Sequence, residues 1–438
     1  MRPGHDYLGL LAGLLAIAGT ALATSPDWSD LDEFQGTVTR TQFNAYLAQV
    51  YAPDGRLDDR LRERSDAVAV FASAAAAATN APLDEIFFST LSNAPALPAH
   101  TFQDPDDLRA LGNPTNTPLR GLRIMLDPGH IGGEWARVEE RWFWLNRVGW
   151  PVQEAALTRY VAGLLRTRLE AAGAEVRITC PDFVPATAKR PDDYRARDAE
   201  LAADPAYAHL PELFREGALL DIRRKRREFM FIRGSEIQAR ADLVNGWRPD
   251  LTLCLHFNAA GGAYTQATPD NRLLFLIHGN YLPGELNDET QLHALFRKLL
   301  EGSHDTERRV AEALSQAFVK ATGLPPCGGS DISRPFGTNL YVQLRNLAAN
   351  RLYRGPVVFL EPYYQNNAGV YARIQTGDYD GLREVDGRPQ PSIFREYADA
   401  ATAGILLAYA PSDAAPSARP PAPLPETDTP PVKALDEP

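Results

Sequence analysis

The sequence predicts an α/β protein: a three-layer sandwich with a mixed, mostly parallel central sheet, preceded by a small α+β N-terminal domain. Two observations carry this. Short apolar runs, 124–126, 251–255, 273–277 and 356–360, alternate with segments whose leucines and aromatics recur at helical spacing. Three of those runs also stop at an ionisable side chain: the first at the Asp127-Pro-Gly-His130 turn, the second at His256, the third at Glu361. In open α/β sheets ligands bind outside the carboxyl ends of strands. Ionisable groups there are costly to bury unless paired or metal-bound. Each one singly reads as a strand cap or a satisfied core group; the three together point to a site.

The chain has 438 residues, enough for two or three domains, with an ordinary 44% of apolar residues. A formal net charge of −11 argues against nucleic acid as a partner. The first 23 residues read as a signal peptide: Arg2 and His5, an apolar run from 8 to 22, and an A-x-A cleavage pattern at Ala21-Leu22-Ala23. The run is short for a membrane span, although an N-terminal anchor is the alternative reading. No stable membrane span is expected after cleavage, so a periplasmic or secreted location follows. Three cysteines, Cys180, Cys254 and Cys327, are too few for a disulfide framework. Cys254 reads as a buried thiol, while pairing of Cys180 with Cys327 is left open by the sequence.

Residues 24–112 form the first region. Residues 39–51 read as a short amphipathic helix with Phe43, Tyr46, Leu47 and Val50 on one side. Residues 67–71 and 85–88 are candidate strands, and the alanines of 72–78 favour a helix without a face. A linker at 111–118 leads into the main domain, 113–410. After the His130 turn, residues 135–150 hold four tryptophans. They suit either a hairpin with its own small core or a cleft wall. Glu154 opens a helix that Gly173 ends, and a strand at 176–179 follows. The carboxylate of Glu154 reads first as a dipole partner of its helix, and second as a group that reaches the same centre as His130.

Residues 181–234 read as a charged insertion whose basic run, 223–227, is a solvated helix face. Ser235 is expected to cap a helix ending at Asn245. Helices at 288–300 and 305–322, a strand at 340–344 and a helix at 392–409 complete the domain. The tail, 411–438, is proline-rich and expected to be disordered. The segment 279–304 also offers Glu285, Asp288, Glu289 and His293 as arms of a lid over a metal; the competing reading packs its helix on the sheet through Leu292, Leu295, Phe296 and Leu299.

Five motifs now stand in order. They are Asp127-Pro-Gly-His-Ile-Gly-Gly133, Glu154 with Leu157, Arg240 through Asn245, Cys254-Leu-His-Phe-Asn-Ala259 and Glu361-Pro-Tyr-Tyr-Gln-Asn-Asn367. In these residues the chain resembles the zinc-dependent N-acetylmuramoyl-L-alanine amidases of the Amidase_3 type, over about residues 120–410. It departs from them in longer gaps between His130 and Glu154 and over 181–234, and in Tyr363-Tyr364 where the family has Gly-Phe. The resemblance implies His130, Glu154 and His256 as zinc ligands, Glu361 as the catalytic carboxylate, peptidoglycan as substrate and an activator protein as a further partner. Two other functions stay open: a zinc carboxypeptidase or other amidohydrolase, and a non-catalytic wall-binding protein, against which the retained Glu361 argues.

Overall fold

A computed structural model of the chain describes residues 25–89, 102–199, 212–260 and 265–410. The segment expected to be a signal peptide, 1–23, and the tail, 411–438, lie outside the described residues. The chain opens with α1 (Arg40–Tyr46), whose start is fixed by a capping box: Thr39 accepts from the Gln42 amide while the Gln42 side chain takes the Thr39 N–H. Strands β1 (Leu61–Glu63), β2 (Ala67–Val70) and β3 (Asp84–Phe87) make a three-stranded antiparallel sheet, with the exposed α2 (Ala74–Ala78) between the last two. The short α3 (Pro105–Ala110) then precedes β4 (Arg123–Pro128).

The tryptophan segment makes a two-residue hairpin, β5 (Trp142–Phe143) against β6 (Val152–Gln153), which hands the chain to α4 (Glu154–Ala171) and β7 (Glu175–Ile178). Next come α5 (Glu212–Phe229) and α6 (Ile237–Trp247), β8 (Leu251–Leu255) and β9 (Leu273–Ile277). Then α7 (Glu289–Glu301) and α8 (His304–Thr322) lead to β10 (Arg334–Phe336), β11 (Asn339–Leu344), α9 (Ala348–Leu352) and β12 (Val357–Pro362). The chain closes with α10 (Ala368–Gln375), the hairpin β13 (Leu382–Val385) and β14 (Arg388–Pro391), and α11 (Ile393–Tyr409).

The central sheet has seven strands in the order β10-β11-β9-β12-β8-β4-β7. Strands β12, β8, β4 and β7 run parallel, β9 enters antiparallel to β12, and β11 runs parallel to β9. Every residue of β8 and β9 is buried, as expected for strands covered on both faces. Helices α4, α8 and α11 cover one face. On the other, Met125, Cys254, Leu276 and Phe359 pack under Ala241, Val244 and Trp247 of α6 and Ala349 of α9. This is the three-layer α/β sandwich. Helices α8 and α11 meet closely at Gly404, where a Cβ would lie 2.7 Å from the Leu314 backbone, so only glycine fits. No described helix is long and apolar enough to cross a membrane.

Ser235 does not cap a helix, as the sequence suggested. The helical path is continuous from Glu212 to Trp247 through a wider π-helical segment, Met230–Glu236, which contains Ser235. Its hydroxyl instead bonds the Tyr194 hydroxyl. The N-terminal elements share one continuous apolar cluster with the main sheet. Phe43 stacks on Phe296 of α7 at 6.1 Å, and Trp28 packs against His293.

Candidate metal centre

The register of three parallel strands brings the site together. Asp127 pairs with Cys254 and Phe359 with Cys254, so β4, β8 and β12 end level with one another. His256 and Glu361 follow directly on adjacent strands, and the turn after β4 adds His130. The Gly129 N–H donates to the Leu255 carbonyl at 2.8 Å, and the His256 N–H to the Leu360 carbonyl at 2.9 Å. Gly129 is needed for the approach: a Cβ there would sit 2.3 Å from the His256 ring. His130 adopts φ +68°, a left-handed conformation that costs energy for a residue with a side chain.

Arg240 offsets that cost. Its buried guanidinium donates to Asp127 Oδ1 (2.9 Å), Glu236 Oε1 (2.9 Å) and the carbonyls of Pro128 (2.7 Å) and His130 (3.0 Å). Asp127 also accepts from Tyr353 and Thr179, so the whole turn hangs on one buried polar network. The arginine of the third motif is thus a scaffold for the first. Asn245, at that motif's end, ties α6 to the Leu352 carbonyl and the Arg354 N–H.

Glu154, at the first turn of α4, is 1% exposed, and its Oε1 lies 2.9 Å from His256 Nδ1 and 3.3 Å from His130 Nε2. One candidate ligand atom from each of the three lies within 4.8 Å of the other two. The two imidazoles stand perpendicular, 5.2 Å between ring centres. Among the described residues this is the only group of three or more histidines, cysteines or acids so placed. Burial pushes the Glu154 carboxyl up, but His130 and His256 outweigh it and hold it well below the usual range. Burial disfavours a charged His130, yet the carboxylates of Glu154 and Glu139 bring it above its ordinary value.

Two imidazoles and one ionised carboxylate at this spacing match a three-ligand catalytic zinc site, which keeps a fourth position open. The surroundings fit as well. Glu139 approaches His130 Nδ1 at 3.5 Å and accepts the N–H groups of Ile131 (2.8 Å) and Gly132 (2.9 Å), an orienting carboxylate behind a histidine ligand. Glu154 Oε2 takes Gln365 Nε2 at 2.8 Å and Arg141 Nε at 3.2 Å. Sequence reasoning gave no role to Glu139, Gln365 or Arg141. Glu139 and Arg141 stand in the tryptophan segment with no motif around them, whereas Gln365 was legible as a member of the last motif.

Glu361 leaves the sheet on the face that carries Phe359, whose ring stacks on His256 at 5.6 Å. Among the described residues its carboxylate has no hydrogen-bond or ion-pair partner. Burial pushes its pKa up, His256 opposes this and Glu154 adds to it. The four candidate lid groups lie elsewhere. Glu285 accepts from the Leu282 N–H and Asn346, Asp288 caps α7, Glu289 takes Trp28 Nε1 at 2.9 Å, and His293 faces Asp30 at 2.7 Å. The segment leaves β9 at the opposite end of the strands from the site, because β9 runs against β12. Packing, not a lid over the metal, accounts for it. All three cysteines are free thiols, and Cys327 Sγ lies 3.2 Å from the Tyr364 hydroxyl.

No family model matches the chain, and no curated protein does. Among solved structures, it is similar to the N-acetylmuramyl-L-alanine amidase Ami1 from Mycobacterium smegmatis, with 14% identity, 66% of this chain and 96% of that one covered, and a TM-score of 0.34. It is also similar to the catalytic domain of the amidase CwlV from Bacillus (Paenibacillus) polymyxa, with 13% identity, 65% and 96% covered, and a TM-score of 0.34. A third is the amidase AmiC2 of Nostoc punctiforme, with 12% identity, 65% and 95% covered, and a TM-score of 0.35.

Proposed function

We propose that the protein is an exported zinc hydrolase that cleaves the amide between the lactyl group of N-acetylmuramic acid and L-alanine in peptidoglycan. The observation that carries this is the meeting of His130, Glu154 and His256 within 4.8 Å, beside Glu361 on the adjoining strand end. Those four residues are the ones that the order of the five motifs singles out. His130, Glu154 and His256 hold the metal. Bound there, zinc acts as a Lewis acid toward the scissile carbonyl and lowers the pKa of water to about 7.

The chain's own residues do the rest. Glu361 accepts a proton from the attacking water at a carboxylate oxygen and returns it to the nitrogen that leaves. Hydroxide adds to the carbonyl carbon, the C–N bond breaks, and the products are a lactyl carboxylate and a peptide with a free L-Ala amine. Glu139 holds the His130 ring, and Gln365 holds the Glu154 carboxylate, so neither ligand spends orientation entropy on the reaction. The leader, 1–23, suits delivery to a cell-wall substrate in the periplasm or outside the cell.

Digestion of purified peptidoglycan tests the reading. Intact stem peptides with an L-Ala amino terminus are expected, with one zinc per chain by metal analysis and loss of turnover on chelation. Release of single carboxy-terminal residues instead would assign a carboxypeptidase. Wall binding without turnover in zinc-loaded protein would assign a binder.

A further inference from the structure

The two oxygens of Glu154 keep different company. Oε1 faces the imidazoles, 2.9 Å from His256 Nδ1 and 3.3 Å from His130 Nε2. Oε2 accepts Gln365 Nε2 at 2.8 Å and forms an ion pair with Arg141, whose Nε lies at 3.2 Å. Gln365 Nε2 also donates to the Phe257 carbonyl at 3.0 Å. Both of its partners are acceptors, so the amide has one orientation. That leaves Oε1 as the oxygen turned toward a metal between the histidines, with Oε2 already engaged. Gln365 does this without charge. Arg141 does it with a full positive charge, since a guanidinium stays protonated at any pH the protein meets.

Arg141 is fixed in place by the backbone around it. Its N–H donates to the Ala136 carbonyl at 2.8 Å, and its own carbonyl accepts the Glu154 N–H at 3.3 Å. Its guanidinium also donates to the Glu140 carbonyl at 2.9 Å. The next residue, Trp142, pairs across the hairpin with Gln153, the residue before Glu154. The chain thus pins this arginine to the same residue whose side chain it meets. Two positions earlier, Glu139 stands behind His130 at 3.5 Å. One short loop sets an acid behind a neutral ligand and a cation behind the charged one. The two act in opposite senses. An acid behind an imidazole makes it a better donor. A cation on a carboxylate draws its charge away from the metal and repels the metal as well.

We propose that Arg141 is a positioning residue of the candidate centre, which confines Glu154 to one oxygen toward the metal and cancels that carboxylate's charge. The metal is then held less tightly and is a stronger Lewis acid. The inference rests on the metal site proposed above and not on which amide is cut. Two neutral imidazoles and one carboxylate leave a divalent ion with a net charge of about +1, and the arginine restores what the carboxylate removes.

The test uses the full chain with Zn²⁺ and, separately, Co²⁺. Arg141→Met removes both charge and donor, whereas Arg141→Gln keeps a donor for Glu154 and removes the charge. Both variants are expected to bind zinc about ten-fold or more tightly than the parent, read by competition with a chelator. Loss of a merely structural arginine would loosen the site instead. Turnover of purified peptidoglycan is expected to fall by about ten-fold or more in the same variants, through kcat and not KM. In the Co²⁺ protein the strong visible bands of a four-coordinate ion are expected to weaken toward a five-coordinate pattern in Arg141→Met, as Glu154 turns its second oxygen to the metal. They are expected to persist in Arg141→Gln. Arg141→Lys, which keeps the charge, is expected to return affinity and kcat toward the parent, and serves if the others do not fold. Zinc affinity that is unchanged or weaker in both uncharged variants overturns the inference. So does a cobalt spectrum of Arg141→Met identical to the parent's, or turnover that holds while zinc tightens. A parent that takes up neither metal overturns the metal site and this inference together. A parent that binds zinc but leaves peptidoglycan intact overturns the amide reading alone, and the affinity and cobalt readouts still decide the role of Arg141.

Discussion

At the scale of single residues, the proposed reading separates groups that would hold a metal from a group that would react. Among the described residues Glu361 has no hydrogen-bond or ion-pair partner, so Glu361→Gln is expected to leave the fold and the metal affinity unchanged. It is expected to cost on the order of 10²–10⁴ in kcat, measured on peptidoglycan or a muramoyl peptide. Glu139 acts through His130. Glu139→Gln is expected to weaken zinc affinity by about 10–100-fold, read by competition with a chelator, with the secondary structure intact. The convergence of His130, Glu154 and His256, with Glu361 on the adjoining strand, was legible in the sequence because each ends a strand or opens a helix inside a motif. Glu139 was not, because its role depends on a loop folding back over eight residues to reach Ile131 and His130. Nothing in local spacing encodes that return.

At the scale of elements, the strands and long helices were legible because burial on both faces and helical periodicity leave strong patterns. The join of α5 to α6 was not. Ser235 carries the residue type of a cap, yet the chain stays helical through it because Phe231 and Glu236 are buried on either side. Tertiary packing overrode the local preference. The start of α8 carries its own prediction. His304 sits among the rings of Tyr46, Tyr51 and Phe336, and its Nδ1 has no partner. Burial lowers its pKa to about 4 from 6.5. The unfolded chain therefore takes up the proton first. This contribution to stability is whole above pH 6.5 and is lost as pH falls toward 4, by at most about 3 kcal/mol. Denaturant unfolding at pH 7 and pH 4.5 is expected to show a smaller difference for His304→Phe than for the parent. An equal difference would remove His304 from the acid response.

At the scale of the whole molecule, the turn after β4 hangs on Arg240, and the place of His130 in the candidate centre hangs on the turn. Arg240→Met leaves Asp127 and Glu236 buried without their cation. It is expected to destabilise the protein by about 3–5 kcal/mol. Thermal unfolding in chelator, where no metal masks the effect, checks it. Zinc is expected to raise the melting temperature of the parent with concentration, since a ligand of the native state stabilises by mass action. His256→Ala is expected to show no such rise at the same zinc concentrations. The N-terminal layer joins the same apolar cluster, so removal of residues 25–88 exposes Phe296 and the neighbouring face of α7. Aggregation of that shortened chain in light scattering is the expected result.

The place of β12 in the sheet has a consequence in time. The strand that carries Glu361 is threaded between β8 and β9, which end at residues 255 and 277, well before β12 begins at 357. Tyr397 of α11 then bonds the carbonyls of His256 and Leu360. The groups of the centre therefore span from residue 130 to residue 397, and their pairing closes some of the longest loops in the molecule. Such contacts form late, since chain entropy is surrendered before they return anything. A nascent chain has both histidines long before the strand that carries Glu361 exists to stand beside them.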